Sequence, residues 1–338
     1  MKLNINSLGR IFLRTHIEKL HQSCFRSIGK FSMIVIFVVL QSPIFAQDYE
    51  RIDATILLYQ ASFESPEELS KFITRDFHSE EEKVRGIYSW IIQNVAYDPA
   101  EYKQFNYSFK DYRERNAKEE NTRAKIIKRT LKKGIAVCEG YAMLFEKLCE
   151  LQGISNYLVK GDIKTNFNDI GRPFKKSHMW NVAVIDGAPF LFDPTWGAGK
   201  YKNKFVKEPS YFFYKTDPNL FFKSHYPSML EDALIDMVIT REVFAAMPLI
   251  ISEDLRMGDI ESPLTGIIIA DRYFEEIAFI ISNNDVSGVS YSYGDEIISI
   301  DKIEFIDGRL HFSIPLASRK ETLLIYFDEQ PALGYIIK

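Results

Sequence analysis

Apolar residues recur at helical spacing from residue 84. Val84, Ile87, Tyr88, Ile91, Ile92 and Val95 fall at the i, i+3, i+4, i+7, i+8 positions of a core-facing helix. Ser79, with Glu82 three residues on, has the form of a capping box and sets the start of that helix. Tyr97-Asp98-Pro99 ends it, and Trp90 reads as a core residue. Ser65-Pro66 marks an earlier helix start, with serine as cap and proline at the first helical position. A basic segment at about 121–132 carries Ile126, Ile127 and Leu131 and reads as a helix with a solvated face. Another amphipathic run goes from Ala142-Met143-Leu144-Phe145 to Leu148 and Leu151, with Gly153 as its stop. After that the period shortens. Tyr157 to Ile163 reads as a strand, and residues 164–176 as a polar loop. Asp186-Gly187, between two apolar runs, predicts a hairpin. Beyond about residue 245, short strands are predicted at 266–269, 277–281, 289–293, 297–300, 310–314 and 322–327. Turn sequences such as Asn283-Asn284-Asp285 and Asp307-Gly308 separate them, as in an antiparallel sandwich.

Two of these elements carry candidate chemistry. Cys138 lies where a glycine-containing turn gives way to the helix that includes Ala142. A thiol there sits at the positive end of the helix dipole, in a setting that favours the thiolate. The adjacent N–H groups could also hold an oxyanion. Taken alone, a lone cysteine is most often a packing residue. The hairpin changes the balance, because its strands carry His178 and Asp193. With a two-residue loop, Ile185 pairs with Ala188, His178 with Thr195 and Trp180 with Asp193. His178 and Asp193 are then diagonal neighbours on one face, roughly 7–8 Å apart. A loop of odd length would separate them. An Asp bonded to one imidazole nitrogen leaves the other free to take a proton from a thiol.

The blocks Val-Cys-Glu-Gly-Tyr-Ala (137–142), His-Met-Trp-Asn (178–181) and Asp-Pro-Thr-Trp (193–196) follow in that order. Together with the helix and Tyr-Asp turn at 87–98, they resemble the transglutaminase-like superfamily, and within it the kyphoscoliosis-peptidase-like branch. The resemblance covers about residues 80 to 200. It implies a papain-related core, and with the antiparallel β-sandwich-like domain read from the C-terminal strand pattern the fold class is α+β. It also implies Cys138 as nucleophile, His178 as general base and acid, and Asp193 as the residue that orients His178. No calcium site of the kind animal transglutaminases use is recognisable. No cofactor or metal is expected, since no metal-ligand spacing links His78, His178, His225 and His311. His225 has no acidic partner at a recognisable spacing and reads as structural.

Residues 1–46 differ from the rest. Six basic residues and one acidic residue precede or flank a short apolar run from Phe31 to Leu40, and Ala46 precedes a polar stretch. This is the form of a secretory signal peptide. The run falls short of the roughly 20 residues of a membrane span, with an uncleaved anchor as the alternative. The expected division is a signal peptide at 1–46, a catalytic domain at 47–240 and a β-rich accessory domain at 245–338. The full chain carries −4, and residues 47–338 carry −9 from 36 basic and 45 acidic residues. An acidic exported protein is a poor nucleic-acid binder. Cys138 and Cys149 would lie about 16 Å apart on one helix, too far for a disulfide.

The expectation is an exported, periplasmic or extracellular, cysteine-dependent amide hydrolase (peptidase) or acyltransferase. Its partner would be a peptide or protein substrate, at the cell surface or wall among other places. The sequence does not decide whether water or an amine accepts the acyl group. The alternative from another class is a non-enzymatic peptide- or cell-wall-binding protein on the same scaffold.

Overall fold

Ser65 and Ser79 each accept a backbone N–H three residues on, and helices begin at the next residue in both cases. Ser79 and Glu82 complete the predicted capping box. The computed structural model describes residues 48–104, 112–270, 275–282, 286–294, 296–317 and 321–338. The predicted signal peptide and the Asn283-Asn284-Asp285 turn lie outside them. Among the described residues, five α-helices precede the first large sheet: α1 (Tyr49–Ile56), α2 (Pro66–Asp76), α3 (Glu80–Asn94), α4 (Tyr112–Lys133) and α5 (Cys138–Leu151). Helix α3 is the centre of the helical layer. Val84, Ile87, Tyr88, Trp90, Ile91 and Ile92 are all fully buried, in one cluster with Phe145 and Leu148 of α5. Each such side chain contributes about 1.5–3 kcal/mol by leaving water. The Trp90 indole N–H donates to the Gln60 carbonyl, 3.1 Å away, so its one polar atom is satisfied.

The first large sheet has five antiparallel strands: β1 (Asn156–Ile163), β2 (His178–Ile185), β3 (Ala188–Phe192), β4 (Tyr214–Thr216) and β5 (His225–Pro227). Their spatial order is β4-β3-β2-β1-β5. Asp186 and Gly187 form the β2–β3 turn with φ of 50° and 82°, the positive values a type I′ hairpin requires. The register runs from Ile185–Ala188 to Asn181–Phe192. There the prediction needs correction. Neither Thr195 nor Asp193 pairs in the ladder; Asp193 instead caps a short helix, Pro194–Gly197.

Gly161 lies between β2 and β5, paired with His178 on one side and Pro227 on the other. A Cβ there would lie 2.2 Å from the Tyr226 carbonyl oxygen and 2.4 Å from the Trp180 ring. Backbone cannot yield as a flexible side chain can. Gly161→Ala should therefore cost about 1–3 kcal/mol as overpacking, read as a lower denaturant midpoint. An unchanged midpoint would mean that β5 is not held against β1 as described.

The C-terminal strands form two sheets around a second core. One has the order Leu249–Ile250, Gln330–Ile337, Thr322–Phe327, Val289–Ser292, Ile297–Ser299, with Ile267–Ile268 parallel to Gln330–Ile337. The other has the order Ile260–Ser262, Glu276–Ile281, Arg309–Pro315, Ile303–Ile306. Burial alternates along Glu276–Ile281, Arg309–Pro315 and Thr322–Phe327, as in strands with one wet face. Phe279 and Phe312 from one sheet meet Leu323, Ile325 and Tyr335 from the other in a shared cluster.

Two buried lysines tie the first sheet to the segment leading into these strands. Lys164 Nζ donates to the carbonyls of Phe244, 2.6 Å away, and Met247, 2.7 Å away. Lys223 Nζ donates to the carbonyls of Ser252 and Glu253. Burial pushes Lys164 down to about 7 and Lys223 to about 8. Among the described residues no helix is long and apolar enough to cross a membrane.

Candidate active site

Cys138 is the first residue of α5, and the cap before it, Val137, offers no side-chain hydrogen bond. The first-turn N–H groups therefore lack the side-chain acceptor that often satisfies them. The helix can sit here because residue 140 is glycine. A Cβ at Gly140 would lie 2.6 Å from the Ala136 Cβ and 2.6 Å from the Thr130 Oγ1 of α4. Cys138 is buried, 3% exposed, in a small cluster with Ala142 and Met179. Cys149 is also buried and free, and burial alone pushes its thiol well above the usual range.

His178 opens β2, and its strand is fastened to α5 three residues later. The fully buried Asn181 donates from Nδ2 to the Ala142 carbonyl at 3.0 Å. The loop before His178 is also pinned. Arg172 Nη2 lies 2.7 Å from Asp162 Oδ1, and the Lys175 N–H donates to Asp162 Oδ2 at 2.7 Å. Backbone geometry on both sides thus fixes where the imidazole stands.

Asp193 is fully buried. Its Oδ1 accepts the N–H groups of Thr195 at 2.8 Å and Trp196 at 3.1 Å. Its Oδ2 faces His178 Nε2 at 2.7 Å. Burial opposes ionisation of this carboxyl, but His178 and then His225 outweigh it and hold it well below the usual range. Burial likewise opposes charge on His178. The Asp193 charge and hydrogen bond, followed by the Cys138 contact, prevail and raise it to about 10. Since Nε2 is taken by Asp193, Nδ1 is the nitrogen left for the thiol. The fold thus brings together the three residues singled out in the sequence.

It also brings together residues that the sequence reading kept apart. His225 Nε2 lies 3.1 Å from the same Asp193 Oδ2. The reading of His225 as a residue without an acidic partner is therefore corrected: its partner lies thirty-two positions earlier, reached through the β1–β5 pairing. No metal-ligand spacing links these histidines along the sequence, yet the fold brings two of them to one carboxylate. Donor atoms of His178, Asp193 and His225 lie within 4.8 Å of one another, a two-nitrogen, one-oxygen set of the kind zinc accepts. Hydrogen bonds to one shared oxygen already account for that spacing. Tyr102, from a turn of 3₁₀ helix at Pro99–Gln104, places its hydroxyl 3.7 Å from the Cys138 Sγ. Nothing in its local pattern signals this.

A cleft of about 760 Å³ opens over His178. Trp196, Tyr201, Phe212 and Phe213 give it aromatic walls, and Tyr102 lines it beside the thiol. Lys164, Thr165 and Ser177 border it from the loop before β2, and Leu249 to Ile251 from the C-terminal segment. The aromatic run at 211–222 is divided: Phe212 and Phe213 line the cleft, while Tyr214 and Phe221 are buried.

The chain is similar in sequence to known proteins. A family profile described as the transglutaminase-like superfamily matches residues 67–194. Kyphoscoliosis peptidase of Homo sapiens is 31% identical over 187 residues, 54% of this chain and 26% of that protein. The Mus musculus protein of the same name is 30% identical over 192 residues, 55% of this chain and 26% of its own length. Hillarin of Drosophila melanogaster is 29% identical over 136 residues, 36% of this chain and 17% of that protein. The chain thus spans only about a quarter of the length of the kyphoscoliosis peptidases. Residues 67–194, which include Cys138, His178 and Asp193, are a domain of the transglutaminase-like superfamily.

Proposed function

We propose that the chain is a cysteine-dependent amide hydrolase, a peptidase, working through a thioester acyl-enzyme and acting outside the cytosol once residues 1–46 are removed. The observation that carries this reading is the buried His178–Asp193 pair, held at 2.7 Å, next to a thiol at a helix N-terminus. His178 Nδ1 holds the proton given up by the Cys138 thiol, so that His178 is the imidazolium before substrate is attacked. The thiolate attacks the amide carbonyl, and the first-turn N–H groups of α5 hold the oxyanion. His178 returns the proton to the leaving amine as the C–N bond breaks. Water then attacks the thioester, gives its proton to His178, and releases the acid and the free thiol. An amine in place of water would give transamidation by the same steps. The peptidase branch is preferred because the relatives at 30–31% identity are named as peptidases.

The test uses the purified protein, iodoacetamide and casein. Peptide mass spectrometry should find Cys138 labelled at pH 6 well before Cys149. Casein incubated with the protein should gain new chain ends in water. Casein that instead takes up added methylamine at glutamine would move the assignment to acyl transfer. If Cys138 labels no faster than Cys149 and casein is unchanged, the enzymatic reading falls and a binding role replaces it.

A further inference from the structure

One oxygen of Asp193 serves two imidazoles. His178 Nε2 lies 2.7 Å from Oδ2 and His225 Nε2 3.1 Å from it. The chemistry proposed above uses only the first. His225 arrives from elsewhere in the chain, at the head of β5, and is 1% exposed. Its ring lies in an aromatic box, with the Phe221 ring centroid at 4.1 Å and the Trp196 centroid at 4.4 Å. Packing alone would not select histidine here. A phenylalanine would fill the same box with no polar atom to satisfy. The residue present instead finds a partner for each nitrogen, because Nδ1 lies 2.9 Å from Ser224 Oγ.

The charge states separate the two rings. Burial, helped by the nearby His178 charge, pushes His225 down to about 4, although Asp193 and the Phe221 backbone carbonyl favour its protonation. His225 is therefore neutral at pH 6 and above, while His178 is charged until pH rises through about 10. An ionised carboxylate can only accept. The single proton of His225 is then on Nε2, and Nδ1 accepts the Ser224 hydroxyl proton. Oδ1 is held by two backbone N–H groups and Oδ2 by two imidazoles, so the carboxylate is fixed at both oxygens.

We propose that His225 is a positioning residue of this site: its Nε2–H, oriented by Ser224, clamps the Asp193 carboxylate in the rotamer that aims His178 at Cys138. The proposal rests on the enzymatic reading above, because a clamp matters only where His178 acts on the thiol. Without it, rotation of the carboxylate about the Cβ–Cγ bond, which moves both oxygens together, is resisted only by the two backbone donors on Oδ1 and by His178 itself. His178 then loses a fixed acceptor, and a small misplacement of a reacting group costs rate steeply.

The test compares the wild type with His225→Phe and His225→Gln. The phenylalanine keeps the ring and its packing but loses both nitrogens. The glutamine keeps a donor near the Nε2 position and gives up the ring. Melting temperature and the rate of iodoacetamide labelling at Cys138, pH 6, are read for each. His225→Phe should label about tenfold more slowly or worse, at an unchanged or higher melting temperature, while His225→Gln stays within about threefold of wild type. The reverse order, with the phenylalanine labelling normally and the glutamine melting early, would show a packing role and overturn the proposal. Equal rates in all three proteins would overturn it as well. Should His225→Phe fail to fold, Ser224→Ala decides instead: slowing of about threefold supports the clamp, and no change removes it. Wild-type Cys138 labelling no faster than Cys149 is a separate failure, which removes the enzymatic reading before any variant is compared.

Discussion

His178→Ala will slow iodoacetamide labelling of Cys138 at pH 6 by about 10²–10⁴-fold, the range a positioned general base supplies. The substitution removes the nitrogen that takes the thiol proton and leaves α5 unchanged. Cys149 is an internal control, since it is fully buried and distant in sequence from the pair, and its labelling should not respond. The same residue also predicts a split between two pH profiles. In the wild type His178 holds its proton to about 10, burial working against this and Asp193 and Cys138 outweighing it. Amide cleavage needs that proton for the leaving amine, so hydrolysis should fall as pH rises through about 10. Alkylation needs no acid and should continue across the same range. Parallel loss of both above pH 10 would point to unfolding. A His178→Ala protein that labels at the wild-type rate would show that the imidazole does not act on the thiol.

Much of this site is legible in the sequence because its parts are local. The Asp186-Gly187 turn fixes the β2–β3 register, since its two positive φ values suit few residue pairs. The α3 pattern survives although the helix is buried nearly all round, because its apolar residues share one core. Asp193 shows where the strand rule fails. Extending the hairpin register past Phe192 assumes that the ladder continues, but Pro194 has no N–H to give it. Asp-Pro is itself a cap signature, an acceptor followed by proline at the first helical position, and this signal was present at residues 193–194. His225 left no such signal. Its contact with Asp193 depends on β5 pairing with the outer edge of β1, which no local period encodes. Lys164 and Lys223 were equally hidden, because their acceptors are carbonyls at the end of a short helix and in the segment after it, some thirty to eighty residues away. Tyr102 reaches the thiol from a separate turn of helix. Contacts that join distant segments through backbone acceptors or sheet edges are the ones a residue pattern cannot display.

Asp193→Ala should cost about 3–5 kcal/mol of stability, the range for removing one partner of a buried ion pair. Four donors lose their acceptor at once: the charged His178, the His225 Nε2–H, and the N–H groups of Thr195 and Trp196. The short Pro194–Gly197 helix loses its cap as well, which by itself is worth about 1 kcal/mol. The pH dependence shows which loss dominates. In the wild type the folded value of His178 lies above its ordinary 6.5, so its contribution is fully present below about 6.5 and is lost as pH rises through about 10. The folded value of Asp193 lies below its ordinary 3.8, so its contribution is present above about 3.8 and is lost as pH falls further. The two windows overlap between about pH 4 and 6.5. The gap in unfolding free energy between wild type and Asp193→Ala should be widest there and should narrow toward pH 10. Asp193→Asn keeps an oxygen for the Thr195 and Trp196 N–H groups but not the charge. It should recover the cap and little else at pH 6, and approach wild type only where His178 is neutral. Denaturant titrations of the three proteins at pH 6 and pH 9.5 make the comparison. A gap that is the same at both pH values would mean that the cap, and not the charged pair, is what Asp193 contributes. The imidazolium assigned to His178 would then have to be abandoned.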